Sequence, residues 1–423
     1  MIKPLFTLLF FFSLTFSWAQ KTITSEAKQE NDSLKKQEFK AYLGNGFYPT
    51  KYFNIDLRYL VKFNQYEGLR SGFGGETNSN FSNKFRVNGY VVYGFRDHNF
   101  KYSIGGGVRL AQKSNTWLSL SYTDDLKETG SSDYLTDKRI FQLFQPRLIN
   151  IDLFYKHITK AITLEHQLGS KLLAATQISR SNIDPTFGYT YVLDNGSYEQ
   201  YVISKAKMAL NWSPYSSFLF EENGIKEIKE GFPKMSLQFT QSFKGLLDGD
   251  FNFSKIDFKT IERFGNSLDH YSEITVMGGL AIGHAPLTHL YHAYPNNITK
   301  EKILQRFSVA GINSFETMYF NEFFSDRFVT LQFKHYLKPF HISEKFQPQL
   351  VLITRYALGD MNHINRHQNI TFDTLNKGYT ESGFEINKLL FGFGLSLSYR
   401  YGAYHLPYFA DNVAFKFTFN LSL

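Results

Sequence analysis

The chain has 423 residues, no cysteine, 17% aromatic residues and a formal net charge of +8. The lack of cysteine excludes disulfides, thiolate metal centres and a lipid-anchored N-terminus. A basic balance can signal nucleic acid or an anionic surface, but Lys and Arg are scattered mostly singly between apolar positions. There is no long basic run and no nucleic-acid-binding signature, so nucleic acid is set aside as a partner.

Taken in chain order, the first element is an export signal. Lys3 gives the positive start, residues 5–16 (LFTLLFFFSLTF) the apolar core, and Ser17-Trp18-Ala19 a small-x-small cleavage site, so the mature chain is expected to begin at Gln20. The apolar run is shorter than the ~20 residues a spanning helix needs. Residues 20–43 are polar and charged, without an apolar face to bury, and read as a flexible or weakly helical periplasmic lead-in. They are too few for a second domain, which leaves 44–423 as one body.

From residue 52 onward the apolar residues recur with period two. Phe53, Ile55, Leu57 and Tyr59 alternate with Asn54, Asp56 and Arg58; Met235, Leu237 and Phe239 alternate with Ser236, Gln238 and Thr240. In the last 33 residues, Phe391 to Tyr401 and Val413 to Leu423 repeat the pattern. Such alternation marks half-buried strands. A soluble sandwich would alternate too. The conjunction with an export signal, with 44 Phe and 27 Tyr, and with a terminal aromatic strand points instead to strands that show lipid on one side and water on the other. The expected fold is therefore all-β, a transmembrane antiparallel β-barrel.

Segments bounded by turn chemistry start near 52, 67, 83, 99, 115, 149, 170, 199, 232, 252, 270, 327, 346, 379, 390 and 412. That makes sixteen strands, with fourteen and eighteen the neighbouring even counts. With the N-terminus periplasmic, the turns at 78–83, 112–115 and 265–268 are short, and the connections 127–148, 182–198, 282–326 and 359–378 are long and extracellular. The connection 213–231 breaks this asymmetry, being long but periplasmic. Phe415, Phe417, Phe419, Leu421 and Leu423 are expected to face lipid in the last strand, which should close the wall against the first and serve as the assembly signal. In the preceding strand Leu397 should face lipid and Ser396 a polar lumen that would accept an arginine.

Few motifs suggest chemistry. Gly105-Gly106-Gly107 and the set Gly72, Gly74 and Gly75 are not followed by a strand-to-helix transition, so they read as wall glycines rather than a nucleotide loop. His284, His289 and His292 fall within nine residues of one outer connection, but nothing there fixes them as ligands, and a solvated loop is expected without metal. Glu322, Asp326 and Arg327 read as a structural ion-pair set in the lumen. Asp360 near His363 is a pairing a hydrolase would need, but the spacing is unspecific, so no enzyme, cofactor or metal is expected.

Three passages carry a family resemblance: residues 67–102 (EGLRSGFGGETNSNFSNKFRVNGYVVYGFRDHNFKY), 323–337 (FFSDRFVTLQFKHYL) and 399–420 (YRYGAYHLPYFADNVAFKFTFN). They resemble a family of outer-membrane barrels of unknown function whose longer members carry a leading carboxypeptidase-regulatory-like domain. The resemblance runs from about Gly44 to the C-terminus; it implies an outer-membrane location and no particular chemistry. The layout is also similar to the outer-membrane assembly and two-partner secretion superfamily, which has sixteen strands and a long sixth outer loop between the eleventh and twelfth, where 282–326 falls. In that superfamily an Arg-Gly-aromatic tip enters the lumen; this chain has no Arg-Gly pair and lacks the periplasmic client-binding domains. The functional expectation is an integral outer-membrane channel, transporter or scaffold, with an assembly or secretion component as the first alternative and a hydrolase as the second. Its expected partners are outer-membrane lipid, lipopolysaccharide and, during biogenesis, the barrel-assembly machinery.

Overall fold

The alternating segments form strands because each carries one apolar and one polar row, and an antiparallel sheet presents these rows to opposite sides. The computed structural model describes residues 39, 42–137, 147, 151–194, 196–221, 224–265, 269–298, 309–343, 346–390 and 392–419. The expected cleavage at Ala19 and Gln20, and the lipid-facing Leu421 and Leu423, lie outside the described residues.

One antiparallel sheet of 18 strands makes the wall. Two of them, Phe53–Asp56 and Val61–Asn64, lie along the same partner and form the two halves of one wall position, β1. The three-residue strand Phe47–Pro49 lies outside β1 on its free edge. The remaining wall strands are β2 (Gly68–Thr77), β3 (Phe85–Gly94), β4 (Phe100–Ala111), β5 (Thr116–Glu128), β6 (Phe154–Gly169), β7 (Leu172–Pro185) and β8 (Tyr201–Trp212). They continue as β9 (Lys234–Ser242), β10 (Phe253–Phe264), β11 (Tyr271–Gly283), β12 (Arg327–Tyr336), β13 (Gln349–Asp360), β14 (Tyr379–Leu390), β15 (Phe393–Tyr401) and β16 (Val413–Phe419). Each pairs with the next in sequence. Every expected start lies within five residues of an observed one, the widest gap being 149 against Phe154.

Short and long connections segregate. One end of the wall carries 78–84, 112–115, 170–171 and 265–270; the other carries 129–153, 186–200, 284–326 and 361–378. The exceptional connection 213–233 does lie at the short-turn end. Its length is spent on a separate hairpin, Ser217–Glu221 with Gly224–Lys229, rather than on further wall strands.

The two faces are inverted relative to a soluble protein. Outward positions carry large exposed apolar side chains, among them Leu120, Ile162, Ile178, Met208, Leu237 and Ile256. Inward positions of the same strands carry buried Ser179, Lys255, Asp257 and Gln238, and Arg355 takes such a position on β13. Contiguous exposed apolar surface on this scale marks a face covered by something apolar, and apolar-out, polar-in alternation is the pattern of a wall standing in hydrocarbon. No helix among the described residues is long and apolar enough to cross a membrane. Phe415 and Phe417 face outward on β16, and Lys416 and Thr418 inward. Leu397 also faces outward and Ser396 inward.

β1 is interrupted by a turn at Leu57–Tyr59. Asp56 accepts from the Arg58 amide at 3.0 Å and pairs with its guanidinium, closing the chain on itself and ending the ladder. The turn lays the Tyr59 ring against Tyr90, centroids 4.1 Å apart. Gly74 makes this possible, because a Cβ there would come 2.7 Å from the Tyr59 ring and 2.4 Å from the Tyr90 Cβ. The Gly72, Gly74 and Gly75 set thus gives close approach within the wall.

The seam between β16 and β1 differs from the simple closure expected. Among the described residues no ladder joins β16 to β1. Phe47–Pro49 takes the free edge of β1, and the Ala310 amide of the long 284–326 connection donates to the Phe417 carbonyl at 2.8 Å, with Val309 bridging Phe417 in parallel. Both edges thus carry short non-wall segments, a common way of blunting sheet edges. Deleting residues 415–423 removes most of β16 and is expected to abolish the compact, heat-modifiable band in unboiled gels. A truncated chain that keeps the band would mean that β16 is dispensable to the wall.

Candidate functional site

The long connection between β11 and β12 is the element the wall is built around. It leaves β11 at the long-loop end and turns inward. Leu287, Leu290 and Tyr291 are buried there with Phe251, Phe253 and Tyr201 of the wall and its loops. The Tyr291 hydroxyl donates to Asp257 on β10 at 2.7 Å, and its ring occupies the space left open by Gly279 on β11. Further in, Pro295–Asn297 and Phe315–Tyr319 run parallel to each other inside the lumen. The innermost part reaches the lower wall, where Lys334 on β12 donates to the Ile312 carbonyl at 2.9 Å. The connection is a plug.

Four fully buried charges pin this plug to β14 and β16, with Arg355 of β13 bracing the β14 carboxylate. Glu381 on β14 accepts from the Glu316 amide at 3.1 Å and the Thr317 amide at 2.7 Å, and its other partner is Arg355 on β13. Lys416 on β16 pairs with Glu316 of the plug at 2.8 Å and donates to the Asn296 carbonyl. Asn296 in turn donates to Glu316 at 2.8 Å. All four charged side chains are at most 2% exposed. Burial alone would raise the Glu316 carboxyl, but the neighbouring Lys416 and Arg355 hold it below its ordinary value. Two cations and two carboxylates in alternation, with plug amides satisfied by a wall carboxylate, offset the cost of desolvating each charge. Arg355 Nε and Nη2 have no acceptor among the described residues.

The plug is eccentric. Against β2–β7 the lumen keeps a cavity of about 470 Å³ at the short-turn end, lined by Arg86, Arg109, Trp117, Ser121, Glu165 and Gln177 among others. Arg86 pairs there with Glu165 at 2.9 Å and lies over the Trp117 ring. Nearer the long-loop end, Arg70 bridges Asp125 and Glu67, and Lys101 bridges Glu67 and Asp97.

The expected lumen set divides. Glu322 is inside, held by Arg400 of β15 at 2.7 Å. Arg327 is not in the lumen: Phe328 takes the inward position at the start of β12, so Arg327 points outward and meets Asp360, its cross-strand neighbour on β13, at 2.6 Å. Asp326 joins Arg327 at 3.0 Å at this rim. The histidines are not in a solvated loop as expected, because their segment enters the plug. His292 is buried against Glu128 at 2.7 Å, His289 lies near Lys205 at 3.2 Å, and His284 remains exposed. No cluster of three or more His, Asp or Glu suited to a metal occurs among the described residues. Sequence reading missed Arg355, Glu381, Lys416 and Glu316. For the three wall residues the signal was a charge on the row opposite the aromatic one, as in Phe415-Lys416-Phe417.

Above the plug, the connections of two hairpins meet. Thr190–Leu193 pairs with Gly196–Tyr198 and with His367–Gln368. His367 stacks on Tyr191 at 5.2 Å, and its Nδ1 lies 2.8 Å from the Tyr189 hydroxyl. Burial, with Arg366 beside it, lowers the His367 imidazole to about 4. A neutral form favoured on folding binds fewer protons than the unfolded segment between about pH 4 and 6.5, so the stability of this small three-stranded sheet falls as pH drops through that window. Protection of the amides of 190–194 and 196–198, corrected for the slower intrinsic exchange at low pH, is expected to fall from pH 7 to pH 5, and this fall should be absent in His367→Gln. An equal fall in both would place the sensitive group elsewhere.

No family model matches the chain, and no curated protein matches it. Solved structures do. The BamA of Haemophilus ducreyi lacking POTRA domains 1–3 superposes with a TM-score of 0.51 at 10% identity, covering 94% of this chain and 79% of that one. CdiB from Acinetobacter baumannii gives a TM-score of 0.43 at 11% identity over 84% of this chain and 57% of that one. The fold is thus similar to that of BamA, an all-β wall with its strands in sequence order.

Proposed function

We propose that this chain is an outer-membrane component of the assembly or secretion class, exported by the 1–19 signal and closed by its own extracellular connection. Passive diffusion, the first expectation, fits less well. The carrying observation is the plug. A diffusion channel needs a continuous watery lumen, whereas here the described parts of the connection, 284–298 and 309–326, lie in the interior and are tied to β14 and β16 by buried charges. The likeness in fold to BamA supports the same reading. The reading is non-catalytic: Asp360 is engaged by Arg327, and His363 has no hydrogen bond to it. In a planar bilayer the purified protein is expected to be silent at steady voltage, and a variant lacking 288–322 to conduct. A persistently open wild-type pore would restore the channel reading. Depleting the protein in its native cell should lower other outer-membrane barrels or exported proteins, and unchanged levels would sink the assembly role.

A further inference from the structure

The outward face of β4–β7 departs from a plain lipid-facing surface. Its rows can be read from the ladder register. Gly106, Leu120, Ile162 and Ile178 form one apolar row across the four strands. The next row toward the long-loop end is Ile104, Tyr122, Lys160 and Arg180. Lys160 and Arg180 are direct cross-strand partners, and like charges so placed destabilise a sheet unless an anion joins them. Lys160 has no anionic partner among the described residues. Arg180 reaches Asn182 at 2.8 Å and Asp248 at 3.3 Å, but Asp248 is itself 82% exposed. Asp124 and Asp184 point outward in higher rows, with Lys156 between them.

Beneath the two cations lies an apolar groove of about 760 Å³, lined by Ile104, Gly106, Leu120, Ile162, Ile178 and Leu247 among others. Leu247 comes from the β9–β10 connection, which bends down the outside of the wall. Its carbonyl accepts from Arg180 at 3.0 Å and from Ser204 at 3.1 Å. Leu247 and Asp248 both sit at positive φ, +48° and +63°, a conformation costly for a branched side chain and commonest at functional sites.

We propose that this groove binds an outer-leaflet lipid with a phosphate-bearing headgroup, acyl chains against Leu120, Ile162 and Ile178 and a phosphate on Lys160 and Arg180. The cations stand at the long-loop edge of the apolar belt, where headgroups of that leaflet lie. A phosphate relieves their repulsion and accepts charge-assisted hydrogen bonds from both. Tyr122 and Tyr102, stacked at 6.0 Å, flank the site at the depth where aromatic rings line a membrane interface. The inference rests on the outward face being lipid-facing.

The test is native mass spectrometry of the full chain in micelles with bis-phosphorylated lipid A, its dephosphorylated counterpart or inorganic phosphate. The wild-type protein should retain one phosphorylated lipid, and Lys160→Gln should weaken this at least tenfold. Gly106→Leu should abolish it with the cations intact, since the nearest atom to a Cβ there is 3.8 Å away and a side chain grows into the groove without collision in the wall. Equal retention of the dephosphorylated lipid, or unchanged binding in both variants, would overturn the proposal. So would competition by millimolar phosphate alone, which would mean a site for the headgroup only. Both variants should keep the heat-modifiable band; a wild-type protein without that band would instead defeat the membrane placement itself.

Discussion

Replacing Glu381 with alanine is expected to cost about 3–5 kcal/mol, the typical penalty for removing one partner of a buried ion pair. Arg355 would be left in the lumen facing only Glu316 and Glu385, and the amides of Glu316 and Thr317 would lose their acceptor. The plug should loosen as well as the wall, because the same carboxylate serves both. Guanidinium unfolding should show the lower midpoint, and limited proteolysis should cut within 284–326 in the variant but not in the wild type. The charge swap separates geometry from charge. Lys416→Glu alone sets a third carboxylate beside Glu316 and Glu381 and should be the most damaging single change in this cluster. Adding Glu316→Lys should recover part of the loss. If Glu381→Ala unfolds like the wild type and its plug stays protected, these ion pairs do not hold the connection in place.

The second large effect concerns the two faces of the wall. Leu120 is 59% exposed and outward on β5, while its neighbour Ser121 faces inward onto the 470 Å³ cavity. Leu120 lies one outward row below Lys160 and Arg180, so Leu120→Arg is expected to destabilise the protein by about 1–3 kcal/mol, between the interface and midplane costs of a lipid-facing arginine. Ser121→Arg places the same charge where there is room and water, and should change the unfolding midpoint little. Refolding into lipid vesicles followed by denaturant titration measures both. Equal behaviour would mean that the inward and outward assignment of β5 is wrong. The comparison cannot be moved to Leu397 and Ser396, although the sequence alone suggested it. Ser396 faces inward as expected, but it stands directly opposite Lys416 and is 2% exposed beneath the plug. An arginine there would meet a like charge in a filled space, so the expectation that it would be accepted is corrected.

What the sequence determines by itself is the wall. A strand's side chains alternate strictly, so Phe415, Lys416 and Phe417 state which row meets lipid without knowledge of any neighbour, and sixteen such segments mark their own starts to within a few residues. Turn chemistry is equally local, which is why the short and long ends were legible. Tertiary structure alone decided what fills the wall. Whether 284–326 stands in water or enters the lumen depends on Glu381, Arg355 and Lys416, which lie from 39 to 100 residues away from Glu316 in the chain and meet it only when β13, β14 and β16 are assembled. The same holds for Arg327, whose charge looked like a lumen group until the register of β12 set Phe328 inward and turned it out toward Asp360. Periodicity fixes the side of a strand on which a residue lies. The partner it finds there is a matter of register and of chain returning from far away, and no local pattern encodes it.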